Sequence, residues 1–288
     1  MIDENKEISA LFHLMDDPDE DVFINVTNKI ISIGKDIIPN LENLSENSED
    51  EMVQDRVEAI IHKLHFRDLF AEFTEWKNNS NDLLDGALLV AKYHYPDLLP
   101  DATFKEIEKI RRNIWLELNS YLTPLEQINV VSGILFSYYK LQGLEVNYDK
   151  PEDFILTNTI LSKRGNPITN GILYLILCDL LDISVKATNV PKQFILRHSS
   201  INLLSPQNKI QEARSFFIDP VNGQVYSQLD VENYLERSGY SKSTFDIKDL
   251  NNHQIVRILL LEFSKCFTSS KYLYKKNDLL ILADLFNT

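Results

Sequence analysis

The segment from Ile172 to Leu181 is apolar on almost every face, and this feature constrains the fold more than any other in the chain. A helix that is apolar all round has to be buried by its neighbours. Gly165, followed by Asn166 and Pro167, supplies a turn just ahead of it. The sequence therefore predicts a central helix that begins after this turn and is surrounded by the rest of the fold.

Short segments of strand composition follow the central helix. They are rich in β-branched and aromatic residues, which suit a pleated and half-buried surface. The pair Asn222-Gly223 is typical of a tight hairpin turn. We therefore expect roughly four short strands after the central helix. The segments are Val185–Val190, Phe194–Arg197, Ser215–Ile218 and Gln224–Tyr226.

Apolar residues at helical spacing fill most of the remaining chain, and we place a domain boundary near residue 80. Thr123 and Pro124 fit the cap and first position of a helix, and Pro96 fits the end of an earlier one. The predicted helices cover about residues 83–98, 102–120, 124–141, 255–263 and 279–286.

The first 80 residues contain an internal repeat at an offset of about 31 residues, which is typical of helical-repeat proteins. Each copy places acidic residues ahead of an apolar stripe, and the pattern resembles HEAT repeats. Gly34 fits the break between the two helices of one repeat. Since two copies are too few to stand alone, we expect them to pack on the next domain. Residues predicted to be buried are Val22, Val26, Val53, Val57 and Ile61.

Two clusters invite a metal-site interpretation, and their spacing argues against it. The acidic run Asp16–Asp21 has the first carboxylates of a calcium loop, but Val22 and Asn28 stand where that loop needs glycine and glutamate. It is better explained as helix capping. His62 and His65 lack a third ligand nearby in sequence and fit surface positions. We expect no metal and no cofactor.

Composition limits the class of partner. The 288 residues carry a formal net charge of -14, which opposes binding to nucleic acid or to an anionic membrane. The charged N-terminus and the lack of a long apolar run favour a cytoplasmic protein. Cys178 and Cys266 both lie in apolar helical patterns, where a buried thiol is more common than a disulfide or a ligand.

Three blocks of sequence, taken together, resemble the SirB-type branch of the transglutaminase-like superfamily, a group of bacterial proteins. They occur in the order found in that family and cover about half of the chain. The blocks are Ala91–Leu98, then Asn158–Thr169 with Ile172–Leu175, and finally Gln193–Arg197 with Phe217–Gly223.

The resemblance implies a predominantly helical α+β fold in which a central helix packs on a small antiparallel sheet. Helical repeats flank this transglutaminase-like core. We expect a HEAT-like helical region at 1–80, the core at 81–228, and a helical hairpin at 229–288. The hairpin resembles tetratricopeptide repeats, although it is too short to form a peptide groove alone.

The resemblance also implies where a catalytic triad would lie. In catalytic relatives a cysteine starts the central helix, which corresponds to about Pro167–Thr169, and no cysteine stands there. Gln193 occupies the histidine position, and an amide cannot accept a proton near neutral pH. Asp219 alone matches. The candidate cleft residues are Asn166, Pro167, Thr169, Gln193 and Asp219.

These substitutions predict a non-catalytic protein that acts as a cytoplasmic interaction or regulatory module. One alternative is a hydrolase or acyltransferase with a non-standard site that uses Thr169 or Asp219. Another is a pseudoenzyme that binds a small ligand or peptide through Gln193 and Asp219. We expect a protein partner rather than nucleic acid or membrane. The sequence identifies neither that partner nor the oligomeric state.

Overall fold

The computed structural model describes residues 10–15, 17, 19–198, 215–240 and 246–287 of the chain. The charged start Met1–Glu7 and two members of the acidic run, Asp16 and Pro18, lie outside the described residues. The predicted class is confirmed, because the fold is α+β and predominantly helical. None of the described helices is both long enough and apolar enough to cross a membrane.

The chain divides into two compact units, with the boundary between Glu72 and Phe73. This boundary falls inside a helix and lies a few residues before the one expected near residue 80. The predicted division into three regions stays a prediction.

The N-terminal unit contains helices joined by a short 3₁₀ turn. Asp19 caps the first helix, because its carboxylate accepts a hydrogen bond from the N–H of Asp21 at 2.9 Å. The capping interpretation of the acidic run therefore applies to its described part. The elements are α1 (Glu20–Ile33), the 3₁₀ turn Lys35–Ile37, α2 (Ile38–Asn47) and α3 (Glu51–Asn79).

The predicted apolar stripes form the core of this unit. Val26, Val53 and Val57 are buried, and Val22 and Ile61 are partly buried against them. The third helix continues for 29 residues without the break that follows α1. Its second half contains neither glycine nor proline, so nothing in it interrupts the helix.

The second unit contains eight further α-helices among its described residues. The cap predicted at Thr123 is confirmed: the Thr123 N–H donates to the Glu126 carboxylate at 2.8 Å, and the Glu126 N–H donates to the Thr123 hydroxyl. The helices are α4 (Leu83–His94), α5 (Asp101–Glu117), α6 (Pro124–Ser132), α7 (Leu156–Ser162), α8 (Pro167–Asp179), α9 (Gln228–Arg237), α10 (Asn252–Ser264) and α11 (Leu273–Asp284).

Shorter turns connect some of these helices. The helix expected to continue to residue 141 changes at Gly133 into a π-helix that ends at Tyr138. Short 3₁₀ turns occur at Pro151–Phe154 and Ser270–Tyr272. Helices α10 and α11 pack on each other as a pair.

The described strands are β1 (Gln142–Gly143), β2 (Arg164–Gly165), β3 (Val185–Thr188), β4 (Ile195–His198), β5 (Phe216–Ile218) and β6 (Val225–Ser227). The main sheet is antiparallel and has the order β3-β4-β5-β6. Its register pairs Leu196 with Ala187 on one side and with Ile218 on the other. A separate parallel pair joins β1 to β2.

The predicted central helix is α8. Every residue from Ile168 to Cys178 is buried, as its sequence requires. Around it pack helices α4, α5, α7 and α10 together with strands β2, β3 and β4. The N-terminus of α8 and the ends of β4 and β5 therefore belong to one core.

Candidate functional site

Asn166 determines where the central helix begins. Its side-chain oxygen accepts hydrogen bonds from the N–H groups of Ile168 at 2.9 Å and Thr169 at 3.0 Å. Its amide nitrogen donates to the carbonyl oxygen of Asp153 at 3.0 Å. The residue is fully buried. Asn166 therefore holds the helix start in place, and its amide is used within the protein.

Thr169 lies one turn along α8 and is fully buried. Its hydroxyl lies 3.4 Å from the carbonyl oxygens of both Asp153 and Asn166. Because this hydroxyl faces the main chain, it is poorly placed to reach a substrate.

Gly171 is the point where the central helix contacts both segments of the third family block. A methyl group added at this position would lie 2.5 Å from a ring carbon of Phe194 and 3.4 Å from Cβ of Pro220. Such a close approach requires glycine. The central helix is thus in contact with both the Gln193-Phe194 segment and the Asp219-Pro220 segment.

Two cavities open beside this meeting point. The first, called here the helix cavity, has a volume of about 670 Å³ and is lined by Pro167, Ile168 and Gln193. The second, called the sheet cavity, has a volume of about 440 Å³ and is lined by Gln193 and Asp219. Phe194 lines both. The structure therefore places Gln193 beside the helix start and beside Asp219, but Pro167 and Asp219 line different cavities.

Gln193 reaches both cavities from a strained turn. Its N–H donates to the carbonyl of Val190 at 3.3 Å, and the preceding Lys192 has a φ of 61°, in the left-handed region. For a residue with a side chain this conformation costs about 1–2 kcal/mol. The turn leaves the Gln193 side chain exposed at the edge of both cavities.

Asp219 forms the turn that follows strand β5. One carboxylate oxygen accepts a hydrogen bond from the N–H of Val221 at 2.8 Å, and its carbonyl accepts one from Gly223 at 2.7 Å. Its charge also acts on a neighbouring phenol: burial, and then the charges of Asp219 and Asp230, raise the pKa of Tyr226. Asp219 therefore stabilises a turn and keeps a negative charge at the sheet cavity.

Neither cysteine can supply a thiolate near neutral pH. Cys178 lies inside α8, where complete burial and the adjacent Asp179 raise the pKa of its thiol well above the ordinary range. Cys266 lies in the turn after α10, not within a helix as its sequence suggested. Burial and nearby carboxylates, among them Glu152 and Asp153, raise the pKa of its thiol to about 12. Both thiols are free and protonated.

His62 and His198 lie outside the linings of the two cavities. His62 is half-buried and stacks on Phe66 with ring centroids 6.5 Å apart. His198 is buried at the end of β4 and stacks on Phe216. Burial lowers the pKa of His198. Among the described residues that line the two cavities, none is histidine.

Sequence reasoning missed the side chains that helix α9 contributes to the sheet cavity. Asp230, Tyr234 and Arg237 all line it, together with Tyr226 from β6. The signal was present in the helical spacing of four and three, which puts these residues on one face. That spacing looks the same as the polar face of any surface helix, and it was therefore not recognised.

Comparison with known proteins identifies the family of the chain. The family profile described as the transglutaminase-like superfamily matches residues 101–260, which is more than half of the chain. The chain belongs to the transglutaminase-like superfamily. Two relatives are similar to it, Protein SirB1 of Salmonella typhimurium (strain LT2) and Protein SirB1 of Salmonella typhi. Each is 20% identical to this chain over 189 residues, which is 65% of the chain and 66% of the relative.

The chain thus aligns with slightly less than two thirds of the length of these relatives. No solved structure matches it. The SirB-type resemblance inferred from the three sequence blocks is confirmed, and with it the transglutaminase-like core.

Proposed function

We propose that this chain is a non-catalytic member of the superfamily and acts in the cytoplasm as a protein-interaction or regulatory module. The observation that carries the proposal is that position 193 is glutamine. Gln193 lines a cavity with the start of the central helix and another with Asp219. The family resemblance assigns this position to the histidine of a catalytic relative, and an amide cannot act as a base.

The nucleophile side of the site supports the same conclusion. Pro167 and Ile168 are the residues of the helix start that line the helix cavity, and neither carries a nucleophile. Thr169 is buried beneath them with its hydroxyl against main-chain carbonyls. Among the described residues that line the sheet cavity, none is a histidine that Asp219 could orient. The Asp219 carboxylate accepts a hydrogen bond within its own turn instead. The positions of these residues therefore favour a binding function over catalysis.

The thiols are expected to be unreactive in the folded protein. Treated with iodoacetamide at pH 7, the folded chain should be alkylated far more slowly than glutathione, because the pKa of each cysteine is raised. The same chain in denaturant is the control, and both cysteines should then react. Peptide-amide and amine-transfer substrates should show no turnover. A thiol that titrates near neutrality and supports turnover would contradict the proposal in favour of the enzyme alternative.

Protein binding should depend on salt. The chain carries 43 acidic residues against 29 basic ones, so a partner that it steers electrostatically is basic. Raising the ionic strength from about 0.05 to 0.5 M should slow association by about tenfold or more, because exposed charges are screened. The measurement is surface plasmon resonance with a protein captured from native cytosol. Capture of no protein, or association unaffected by salt, would count against the proposal.

Binding of a small ligand or peptide is the second candidate. It is favoured by the two cavities, whose volumes of about 440 and 670 Å³ fall within the range of small-molecule sites. Binding of this kind is compatible with the lost chemistry.

A further inference from the structure

The sheet cavity has a distribution of charge that selects its occupant. It lies between the turns at the ends of the sheet and one face of helix α9, and it is bounded by both carboxylates and aromatic rings. Its lining includes Gln193, Phe194, Asp219, Tyr226, Asp230 and Arg237.

Two carboxylates, those of Asp219 and Asp230, line the cavity. Asp219 uses one carboxylate oxygen for the N–H of Val221, and Asp230 uses one for the N–H and hydroxyl of Ser227, at 2.8 and 2.7 Å. Within the described part of the chain the second oxygen of each carboxylate has no hydrogen bond. Both carboxylates line the sheet cavity together with Tyr226, and both charges raise the pKa of the Tyr226 phenol.

The walls of the cavity are aromatic and held in place. The hydroxyl of Tyr234 donates to the carbonyl of Pro191 at 3.1 Å, and the hydroxyl of Tyr226 donates to the side-chain oxygen of Gln224 at 3.3 Å. The ring of Phe194 packs on Gly171. Behind them lies a buried apolar cluster that includes Val190 and Val231. Carboxylates combined with fixed aromatic rings favour an organic cation.

Arg237 adds one positive charge to the lining of the cavity. Arg237 follows Asp230 by seven residues on α9, which puts it on the same face and about 10 Å further along the axis at a rise of 1.5 Å per residue. Its side chain is exposed and makes no ion pair within the described residues. The main chain of Arg237 therefore lies about two helical turns from that of Asp230.

We propose that the sheet cavity binds the basic side chain, lysine or arginine, of an extended peptide segment in a protein partner. The inference rests on the proposed function and names the chemistry of its partner. A cavity of about 440 Å³ is much larger than a single ammonium group requires. The amides of Gln193 and Asn233 also line it and can both donate to and accept from a peptide main chain.

The test is a titration of the full chain followed by ¹H–¹⁵N NMR. The probe is acetyl-Gly-Lys-Gly-amide, and the matched control replaces lysine with norleucine, which keeps the aliphatic chain and removes the charge. We expect saturable shifts at the amides of 193–195, 219–226 and 230–237 with the lysine peptide, and at least tenfold weaker binding of the control. Equal binding of both peptides, or shifts elsewhere only, would overturn the proposal.

Three substitutions then test what individual charged side chains contribute to binding of the lysine peptide. Asp219→Asn keeps the oxygen that accepts from Val221 and removes the charge, so binding of the lysine peptide should weaken about two- to fivefold, as for a partly exposed ion pair. Arg237→Gln should leave binding unchanged or tighten it. Asp97→Asn removes an exposed carboxylate outside the cavity and should have no effect. Weakening by Arg237→Gln would point to an anion and overturn the proposal.

A small free amine carries the same alkylammonium cation as a lysine side chain and is the alternative occupant. Butylammonium should bind at least tenfold more weakly than the lysine peptide, and equal binding would overturn the peptide occupant. The outcome is separable from that of the proposed function. If the peptides fail to bind while a protein partner is still captured and no turnover occurs, only the inference fails, whereas turnover or the absence of any protein partner contradicts the proposed function.

Discussion

Replacing Asn166 with alanine should lower the free energy of unfolding of the second unit by about 2–4 kcal/mol. The substitution removes a helix cap and leaves the buried N–H groups of Ile168 and Thr169 without their partner. The carbonyl of Asp153 loses its 3.0 Å hydrogen bond and keeps the 3.4 Å contact with the Thr169 hydroxyl. A buried donor that loses its partner also cannot turn to water. Equilibrium urea denaturation followed by circular dichroism measures the change.

Asn251 provides the matched control for that experiment. It caps helix α10 in the same way, with its side chain accepting from the N–H of Gln254 at 2.8 Å, but it is exposed. Asn251→Ala should therefore cost only about 0.5–1 kcal/mol, because water replaces the lost cap. Equal losses at the two positions would show that the Asn166 network contributes nothing beyond ordinary capping.

Replacing Gly143 with alanine should destabilise the protein by about 2–3 kcal/mol, because there is no free space at this position. A methyl group there would lie 2.4 Å from the carbonyl oxygen of Val221 and 2.8 Å from its Cα. These are main-chain atoms, so a change of rotamer cannot relieve the clash. The turn that includes Asp219 has to move instead. Urea denaturation and the ¹⁵N shifts of residues 219–223 report the two effects.

The control for Gly143 is Gly133, where an added methyl group would meet no atom of the described residues within 4 Å. Its φ of -59° is helical, so Gly133→Ala should stabilise the protein by about 0.5–1 kcal/mol through reduced freedom of the unfolded chain. Both substitutions add one methyl group, but they should change the free energy of unfolding in opposite directions. Stabilisation by Gly143→Ala would mean that strand β1 is not packed on the Asp219 turn.

The sequence was most informative where a pattern had one physical solution. The apolar stretch from Ile172 could be satisfied only by burial, and α8 is buried on all sides. The cap at Thr123 followed from a local hydrogen-bond pattern, which depends on neighbouring residues alone. Strand positions were right to within one or two residues, because β-branched and aromatic residues cluster there.

Features that depend on tertiary contacts were not predictable. The sequence predicted Asn166 and Thr169 as cleft residues. A polar side chain in a fully surrounded helix can face either a cavity or buried main chain, and the sequence does not distinguish the two. In the structure Asn166 and Thr169 both face the buried main chain. The switch to a π-helix at Gly133 has no distinct local signal. The charged residues of α9 became part of a cavity only because the ends of strands β4 and β5 lie opposite them.

The ring of Phe194 is a wall shared by the helix cavity and the sheet cavity. If an occupant of one cavity displaced this ring from its contact with Gly171, the volume left in the other cavity would change, and occupation of the two would be thermodynamically linked. Linkage of this kind is reciprocal: if one occupant alters the affinity of the other by some factor, the second alters the affinity of the first by the same factor. Displacement of a single aromatic side chain would then make one binding event conditional on another.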